Sequence, residues 1–304
     1  MDLTGLMQLC ALVREAGAAI MQVYRAGDAA LEAVDKADGS PLTLADRESH
    51  RVLAAGLEAR FPGIPVLSEE GREIPYEERR AWSRLWLVDP LDGTKEFVKG
   101  LDEFTVNVAL IEEGAPVAGA VYAPALDRLY AGGRGLGAFV QEAGEEPRPI
   151  TVRSTPPAEG LAVVQSRSHP SPELEQYLEG LWVAERVSAG SSLKLCLVAE
   201  GRADLYPRLG PTMEWDTAAG QAVVEAAGGE VRVVLRGGAP TGGPLAFADG
   251  GPLRYNREQL LNPWFVVRAA SAPWPLSSRG FSVYRVAGWK RLRPPTPTPR
   301  SPSS

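Results

Sequence analysis

The sequence predicts a layered protein of the mixed α/β (α+β) class. Apolar residues recur at helical spacing in several segments, and short apolar runs bounded by Gly and Pro alternate with them, a pattern typical of strands. The chain of 304 residues is 44% hydrophobic and 23% charged, enough to bury a sizeable core in one large domain or two modest ones. Helices and strands mixed in this way pack as layers.

The first half of the chain is predicted to begin with two helices and to continue as a meander of strands. Apolar positions follow a helical period over residues 3–25, and a second helix is expected from about Thr43 to Arg60, where Phe61-Pro62-Gly63 stops it. Short apolar runs then predict strands separated by turn residues, at 64–67, 85–88, 106–111, 117–122 and 129–132.

The segment 144–160 is rich in Glu, Pro and Gly, and it is predicted to separate an N-terminal metal and phosphate subdomain, 1–155, from a C-terminal substrate subdomain, 156–268. Residues 269–304 carry six basic and no acidic residues among many Pro, Ser and Thr, and they are predicted to form a disordered tail. Contact of this tail with a membrane surface or RNA is the alternative to a solvated extension. The second subdomain is expected to contain strands at 161–164, 204–206 and 230–235 and helices at 172–181, 191–200 and 217–227.

Charge and cysteine content narrow the class of protein. The net charge is −6, and without the basic tail the remaining residues carry 26 basic against 38 acidic side chains. An acidic body argues against a nucleic-acid polymer as the main partner and suits an enzyme that recruits cations for a small anionic substrate. Cys10 and Cys196 form neither a disulfide framework nor a metal-ligand pattern, which fits a reducing cytoplasm.

The N-terminal segment predicts neither a signal peptide nor a transmembrane segment, because Arg14 and Glu15 interrupt its apolar positions. We therefore expect a cytoplasmic protein, with peripheral contact at the inner membrane as the alternative. Both a monomer and a homodimer remain open.

Two short segments place carboxylates where a predicted strand ends and a helix begins. Hard divalent cations prefer oxygen ligands, and free N–H groups at a helix start bind phosphate oxygens. A glycine in such a turn also lets a ligand approach the backbone closely. The pattern predicts metal-assisted phosphate chemistry. The segments are Asp89-Pro90-Leu91-Asp92-Gly93-Thr94 and Trp215-Asp216-Thr217-Ala218-Ala219-Gly220, preceded by Glu69-Glu70 after an earlier strand.

Each of these acids also has a purely structural explanation. Asp89 and Asp92 suit a turn and a helix cap, and Asp216 suits a plain N-cap. Thr43 and Asp46 resemble a capping box, with Asp where Glu or Gln is usual. Glu69 and its neighbour suit solvated acids at a strand end. Their joint presence at successive element starts favours function.

Taken together, these segments resemble the inositol monophosphatase superfamily of metal-dependent, lithium-sensitive phosphomonoesterases. The resemblance covers about residues 3–267 and is strongest to the bacterial 3'(2'),5'-bisphosphate nucleotidases of the CysQ type. It implies an α-β-α-β-α sandwich, sugar-phosphatase-like, with two subdomains and the metals at their junction. Further matching segments are Thr94–Phe97, Glu103–Asn107, Ser166–His169, Gly190–Lys194, Tyr206–Thr212, Tyr255-Asn256 and Leu261–Pro263.

The resemblance implies a role for each acid of the two segments. It makes Mg²⁺ the cofactor, with two or three ions per site, and it makes Thr94 and Asp46 a dyad that helps to deprotonate the attacking water. The N–H groups of Gly93 and Thr94 are expected to bind the phosphate, and four of the metal ligands also to contact the substrate: Glu69, Leu91, Asp92 and Asp216. The implied metal ligands are Glu69, Asp89, Asp92, Asp216 and the carbonyl oxygen of Leu91.

Other positions bear on the substrate. The start of a helix after Gly190 is expected to bind a second phosphate or a ribose. The alternative is that these residues form only a helix N-cap followed by an exposed lysine. Leu209 stands where inositol-specific relatives carry a sugar-binding Glu, which disfavours a polyol. His169 suits a solvated loop, with adenosine contact as the alternative. The expected substrate-binding residues here are Ser191, Ser192, Lys194 and Arg208.

These expectations favour a magnesium-dependent phosphatase that removes the 3'-phosphate of adenosine 3',5'-bisphosphate or its sulfated analogue. Within the enzyme class, the alternative is an inositol or fructose bisphosphate type of sugar phosphatase. A catalytically silent nucleotide sensor is the alternative from another class, and the retention of every implied ligand and of the dyad disfavours it.

Overall fold

The computed structural model describes residues 1–26, 34–35, 41–154, 159–166, 172–179, 181–237 and 246–270. The helices in this part of the chain are α1 (Leu3–Ala26), α2 (Leu44–Arg60), α3 (Tyr76–Arg79), α4 (Thr94–Val98), α5 (Pro172–Leu178), α6 (Leu193–Ala199) and α7 (Glu214–Ala226). The strands are β1 (Val34–Asp35), β2 (Pro41–Leu42), β3 (Val66–Ser68), β4 (Arg84–Asp92), β5 (Thr105–Glu112), β6 (Ala115–Ala123), β7 (Arg128–Gly133), β8 (Gly137–Gln141), β9 (Arg148–Ile150), β10 (Leu161–Ser166), β11 (Val183–Ala189), β12 (Leu205–Arg208), β13 (Gly229–Gly237), β14 (Ala246–Pro252) and β15 (Phe265–Ala269).

The first large sheet has seven strands in the order β3-β4-β5-β6-β7-β8-β9. From β4 to β9 each strand pairs antiparallel with the next, so the predicted meander is confirmed. Strand β3 pairs parallel with β4, with Ser68 opposite Val88. The carboxyl ends of these two strands therefore lie side by side, and the acids that follow them are brought together.

The second large sheet has six strands in the order β11-β10-β12-β15-β13-β14. Strand β10 pairs parallel with both β11 and β12, and β15 pairs antiparallel with β12 and β13. The first sheet ends at Ile150 and the second starts at Leu161, while the division into two subdomains stays a prediction.

Side-chain alternation along the strands separates the buried layers. On β4, Trp86 and Val88 pack with α1 and α2, whereas Leu85 and Leu87 face α6, α7 and the second sheet. On the outer side of the second sheet, β10 and β12 pack against α5. The order of layers is thus α1 and α2, the first sheet, α6 and α7, the second sheet, then α5, which confirms the α-β-α-β-α sandwich.

Helix α1 forms most of the outer helical layer, and its residues Leu9, Leu12 and Ile20 are fully buried against the first sheet. Within the described part of the chain it is the one helix with enough length and apolar content to cross a membrane. A core helix meets the same criterion, because its buried face is apolar. The absence of a transmembrane segment stays a prediction.

Helix α7 approaches the first sheet so closely that only glycine fits beneath it. A Cβ on Gly119 of β6 would lie 2.7 Å from the carbonyl oxygen of Ala219 and 2.9 Å from its Cα. On the opposite face, a Cβ on Gly220 would lie 2.9 Å from Cβ of Leu195 in α6. The small residues Ala218-Ala219-Gly220 therefore let α7 lie between the sheet and α6.

The helix expected at 217–227 begins earlier than the sequence suggested. It starts at Glu214, so Asp216 is its third residue and not its N-cap, which is Met213. The sequence signal failed because Met is not a usual capping residue. Ala269 ends β15, whereas the rest of the predicted tail from residue 271, together with His169, lies outside the described residues.

The tight packing under α7 gives a first prediction. Gly119→Ala should reduce the free energy of unfolding by about 1–3 kcal/mol, because the added methyl group meets helix backbone that cannot rotate away. Urea denaturation measures this change. Gly133→Ala is the matched control, since its nearest atom at 3.1 Å is the end of the Leu136 side chain, and it should have a much smaller effect. Equal effects at both positions would contradict the role given to the α7 contact.

Candidate active site

The candidate site begins where β3 and β4 end in parallel. Glu69 follows β3, and its N–H donates to the carbonyl of Val88 at 3.1 Å, which holds it beside Asp89. Asp89 is 1% exposed, and its Oδ1 accepts the N–H of Leu91 at 3.0 Å. The parallel pairing thus fixes two carboxylates that lie twenty residues apart in the sequence.

A third carboxylate comes from α7 on the opposite side. The N–H of Met213 donates to Oδ2 of Asp216 at 2.8 Å, which fixes this carboxylate in the first helical turn. Glu69, Asp89 and Asp216 each offer an oxygen, and these oxygens lie within 4.8 Å of one another. The structure therefore assembles three of the predicted metal ligands, which we call the acid cluster.

The electrostatics of the acid cluster call for a cation. Burial, followed by the charges of Glu69, Asp92 and Asp216, raises the pKa of Asp89 well above its ordinary value. Burial and the charge of Asp92 likewise raise the pKa of Asp216 well above its ordinary value. An all-oxygen, negatively charged set of this kind suits a hard divalent cation, which would relieve the repulsion.

The other two predicted metal ligands lie at the end of β4. Asp92 does not belong to the acid cluster, and its Oδ2 accepts a hydrogen bond from the hydroxyl of Ser192 at 2.9 Å. Burial raises its pKa, and the charge of Lys194 opposes this shift. The carbonyl of Leu91 lies 3.3 Å from the Thr94 hydroxyl, and it competes with Asp46 for the single proton of that hydroxyl.

Gly93 joins β4 to α4 and requires glycine. Its φ is 90°, in the left-handed region, and a Cβ there would lie 3.2 Å from the carbonyl oxygen of Glu103. The chain can therefore turn directly from Asp92 into the helix that begins at Thr94.

Asp46 uses its two carboxylate oxygens for two purposes. Oδ2 accepts the Thr43 N–H at 2.8 Å and the Thr43 hydroxyl at 2.6 Å, so the predicted cap of α2 is confirmed. Oδ1 lies 3.5 Å from the hydroxyl of Thr94, a long separation for a hydrogen bond, and the dyad stays a prediction. The Ser49 hydroxyl also donates to the carbonyl of Pro90 at 2.7 Å, which holds α2 against the loop.

A cavity extends from the acid cluster to a cationic wall. The residues that line it include Asp92, Gly93 and Asp216 together with the cations Lys194 and Arg208. Burial lowers the pKa of Lys194 to about 8, with the charge of Asp92 opposing and that of Arg208 adding to the shift. Such a wall is suited to an anionic group.

Two further polar atoms at this wall have no hydrogen-bond partner among the described residues. They are the buried Oγ of Ser191 and Nε of Arg208. Ser191 has a φ of 44°, which is uncommon for a residue other than glycine, and such conformations cluster at functional sites. Arg208 donates through Nη2 to the carbonyl of Pro211 at 2.7 Å.

The wall is joined directly to the loop before β5. The N–H of Gly190 donates to Oε2 of Glu103 at 2.7 Å. A Cβ on Gly190 would lie 2.7 Å from the carbonyl oxygen of Glu103, so the two backbones are in close contact. The cavity wall is therefore fixed against the element that follows α4.

Sequence reasoning missed the network that supports the first turn of α7. Glu214 is fully buried, and it accepts the backbone N–H and Nε of Arg257, each at 3.1 Å. Nδ2 of Asn262 donates to the carbonyl of Met213 at 2.7 Å. The matching segment Leu261-Asn262-Pro263 marks this network in the sequence pattern, but the pattern does not say what the segment does.

The sequence profile of the inositol monophosphatase family matches residues 3–262. This chain belongs to the inositol monophosphatase family. Its members are metal-dependent, in agreement with the acid cluster. A small-molecule phosphate ester is the class of substrate that the family handles.

Individual members of the family are similar over most of their length. The 3'(2'),5'-bisphosphate nucleotidase CysQ of Escherichia coli O6:H1 is 50% identical over 262 residues, which are 86% of this chain and 98% of that protein. The crystal structure of CysQ from Bacteroides thetaiotaomicron superimposes with a TM-score of 0.73 at 41% identity, covering 88% of this chain and 97% of that one. The extragenic suppressor protein SuhB of Bartonella henselae gives a TM-score of 0.67 at 26% identity, covering 87% and 93%.

The crowded acid cluster gives a second prediction. The pKa of Asp89 is higher in the metal-free fold than in the unfolded chain. The free energy of unfolding therefore falls as the pH rises above the pKa that Asp89 has in the unfolded chain. Asp89→Asn should therefore melt above the wild type at neutral pH without metal. Mg²⁺ at about 100 times its Kd should stabilise the wild type by about 2.7 kcal/mol and the variant much less.

Differential scanning calorimetry with and without Mg²⁺ tests both parts of this prediction. Asp102→Asn, which changes an exposed carboxylate outside the acid cluster, should alter neither the metal-free melting temperature nor the effect of Mg²⁺. A metal-free Asp89→Asn protein that melts below the wild type would contradict the proposed repulsion.

Proposed function

We propose that this chain is a magnesium-dependent 3'(2'),5'-bisphosphate nucleotidase that hydrolyses adenosine 3',5'-bisphosphate to AMP and phosphate. The sulfated analogue, 3'-phosphoadenylyl sulfate, would give adenylyl sulfate in the same way. The observation that carries the proposal is the single cavity that the acid-cluster residue Asp216 shares with Lys194 and Arg208. The carboxylates suit a metal-bound phosphate under attack, and the two cations suit a second anionic group. The name of the similar CysQ proteins supports the same activity.

The metals in this proposal are two or three Mg²⁺ ions, held by Glu69, Asp89, Asp92, Asp216 and the carbonyl oxygen of Leu91. Their donor set is entirely oxygen, as Mg²⁺ prefers. When bound, such ions supply a water of lowered pKa and stabilise charge on the phosphate and on the leaving oxygen.

The residues of the chain would do the rest of the chemistry. Oδ1 of Asp46 accepts the hydroxyl proton of Thr94, and the Thr94 oxygen then accepts a proton from the attacking water. The N–H groups of Gly93 and Thr94 hold the phosphate oxygens, because the left-handed turn at Gly93 leaves this backbone without side-chain bulk. The water oxygen bonds to phosphorus as the bond from phosphorus to the 3'-oxygen breaks, and the 3'-oxygen takes up a proton from solvent water, which gives the alcohol and inorganic phosphate.

The cationic wall would hold the phosphate that is not cleaved. The hydroxyl of Ser191, the Lys194 ammonium and the Arg208 guanidinium all reach the cavity, and each can donate to a phosphate oxygen. Ser192, also predicted to contact the substrate, is not among the residues that line the cavity, and it would act through the Asp92 carboxylate to which it is hydrogen bonded.

An inositol or fructose bisphosphate type of sugar phosphatase is less well supported. Leu209, at the position of the sugar-binding Glu of inositol-specific relatives, is 6% exposed and packs in the apolar cluster beneath the second sheet. It offers no acceptor to a sugar hydroxyl.

Three further points belong to the proposal. The subdomains 1–155 and 156–268 meet at the site, which is supported by the origin of Asp89 in one and Asp216 in the other. The protein works in the cytoplasm or at the inner face of the membrane. The site is built within one chain, so either a monomer or a homodimer would retain it.

A substrate panel tests the activity. Turnover of adenosine 3',5'-bisphosphate should exceed that of inositol 1-phosphate and fructose 1,6-bisphosphate, and it should disappear when Mg²⁺ is removed. Phosphate release with each substrate is the measurement. The assignment fails if the nucleotide is the poorest substrate of the three.

A variant at the cationic wall tests how the nucleotide is recognised. Arg208→Ala should raise KM for adenosine 3',5'-bisphosphate about 10-fold or more, since a charged hydrogen bond to phosphate is worth about 1.5–3 kcal/mol. KM for adenosine 3'-monophosphate, which has no second phosphate, should change much less. Arg186→Ala, which removes an exposed arginine paired with Glu175, is the control for loss of charge. Equal effects on the two nucleotides would contradict a second phosphate site at Arg208.

A further inference from the structure

The side chain of Ser192 makes three hydrogen-bond contacts. It stands at the N-cap of α6, and its side chain is 1% exposed. Its Oγ lies 2.9 Å from Nδ2 of Asn107, 2.9 Å from Oδ2 of Asp92 and 2.6 Å from the carbonyl oxygen of Asp216. One hydroxyl therefore touches two of the proposed metal ligands.

The direction of these hydrogen bonds follows from the chemistry of the groups. A hydroxyl has one proton to donate and two lone pairs, whereas an ionised carboxylate and a carbonyl only accept. The amide of Asn107 donates to the Ser192 oxygen, so the hydroxyl proton remains for Asp92 or for the Asp216 carbonyl. Asn107 thereby orients Ser192 as a donor toward the metal ligands.

Asn107 is not explained by the stability of its strand. It lies on β5 directly opposite Asp89, between the fully buried residues Val106 and Val108. It is itself 1% exposed, and its Oδ1 has no hydrogen-bond partner among the described residues. A buried amide whose oxygen has no hydrogen-bond partner lowers the stability of a sheet. The presence of Asn107 at this position therefore indicates a role in the site.

The cavity distinguishes Ser192 from the serine before it. Ser191 and Lys194 line the cavity, whereas Ser192 is absent from its wall. A bound substrate would meet the hydroxyl of Ser191, while that of Ser192 lies behind Asp92. Ser192 can act on the reaction only through the groups that it holds.

We infer that Asn107 and Ser192 are positioning residues that fix the Asp92 carboxylate for Mg²⁺, since both the hydroxyl and the backbone N–H of Ser192 bond to that carboxylate. The inference rests on the proposed function. It adds two residues, from β5 and the start of α6, whose effect on catalysis passes through a metal ligand. Outer partners of this kind fix ligand orientation, and their loss typically weakens metal binding 10–100-fold.

The test is a Mg²⁺ titration of the whole protein without substrate, followed through the melting temperature. Ser192→Ala and Asn107→Ala should each weaken the apparent Mg²⁺ affinity about 10-fold. The Mg²⁺ concentration that gives half-maximal turnover should rise by the same factor, while KM at saturating Mg²⁺ changes little. In the double variant the two effects should not add, because both changes break one chain of hydrogen bonds.

Ser191→Ala is the matched control, since it removes the adjacent hydroxyl that faces the cavity. It should raise KM and leave Mg²⁺ affinity unchanged. Ser192→Cys covers the case in which the alanine variant does not fold, because a thiol nearly keeps the volume but is a weak donor. Ser192→Cys should also weaken Mg²⁺ binding.

Two results would overturn the inference. One is Mg²⁺ affinity within about twofold of wild type in the folded Ser192 and Asn107 variants. The other is a rise in KM without a change in Mg²⁺ affinity, which would make Ser192 a substrate contact. Failure of the wild type itself to bind Mg²⁺ would instead overturn the proposed function, so the two failures are distinguishable.

Discussion

The close packing of α7 against the first sheet is the contact on which the site depends. Gly119 leaves room for the backbone of Ala219, and Gly220 leaves room for Leu195 on the other face of the helix. With α7 at this depth, Asp216 in its first turn reaches the carboxylates that follow β3 and β4. The small residues Ala218-Ala219-Gly220 are thus as necessary to the geometry of the metal site as the acids, although none of them is itself a proposed metal ligand.

The acid cluster that the proposed function requires lowers the stability of the metal-free fold. Three carboxylates lie within 4.8 Å of one another, and burial raises the pKa of Asp89 well above its usual range. The fold tolerates this repulsion because the surrounding layers are apolar and well packed, and because Leu91 and Met213 donate N–H groups to the buried oxygens. A divalent cation relieves the repulsion, so metal binding and folding reinforce each other.

The layered fold and the acids could be predicted from the sequence because they depend on local patterns. The long helices and the meander follow apolar periodicity, and the capping box of α2 is predicted from the spacing of Thr43 and Asp46. Strand β11 was missed because polar, exposed side chains such as those of Glu185 and Arg186 interrupt its apolar residues at the sheet edge. The roles of Asn107 and Ser192 could not be predicted, since they arise from a contact between residues 85 positions apart.

The junction between Glu103 and Gly190 has a consequence for how the enzyme selects its substrate. The two backbones touch, and the Gly190 N–H is bonded to the Glu103 carboxylate at 2.7 Å. Opening a hinge along this seam would break that bond and expose the close contact to water. The seam therefore favours a preformed cavity, in which molecules are sorted by their fit to its shape, over a cavity made by closing one half of the protein onto the other.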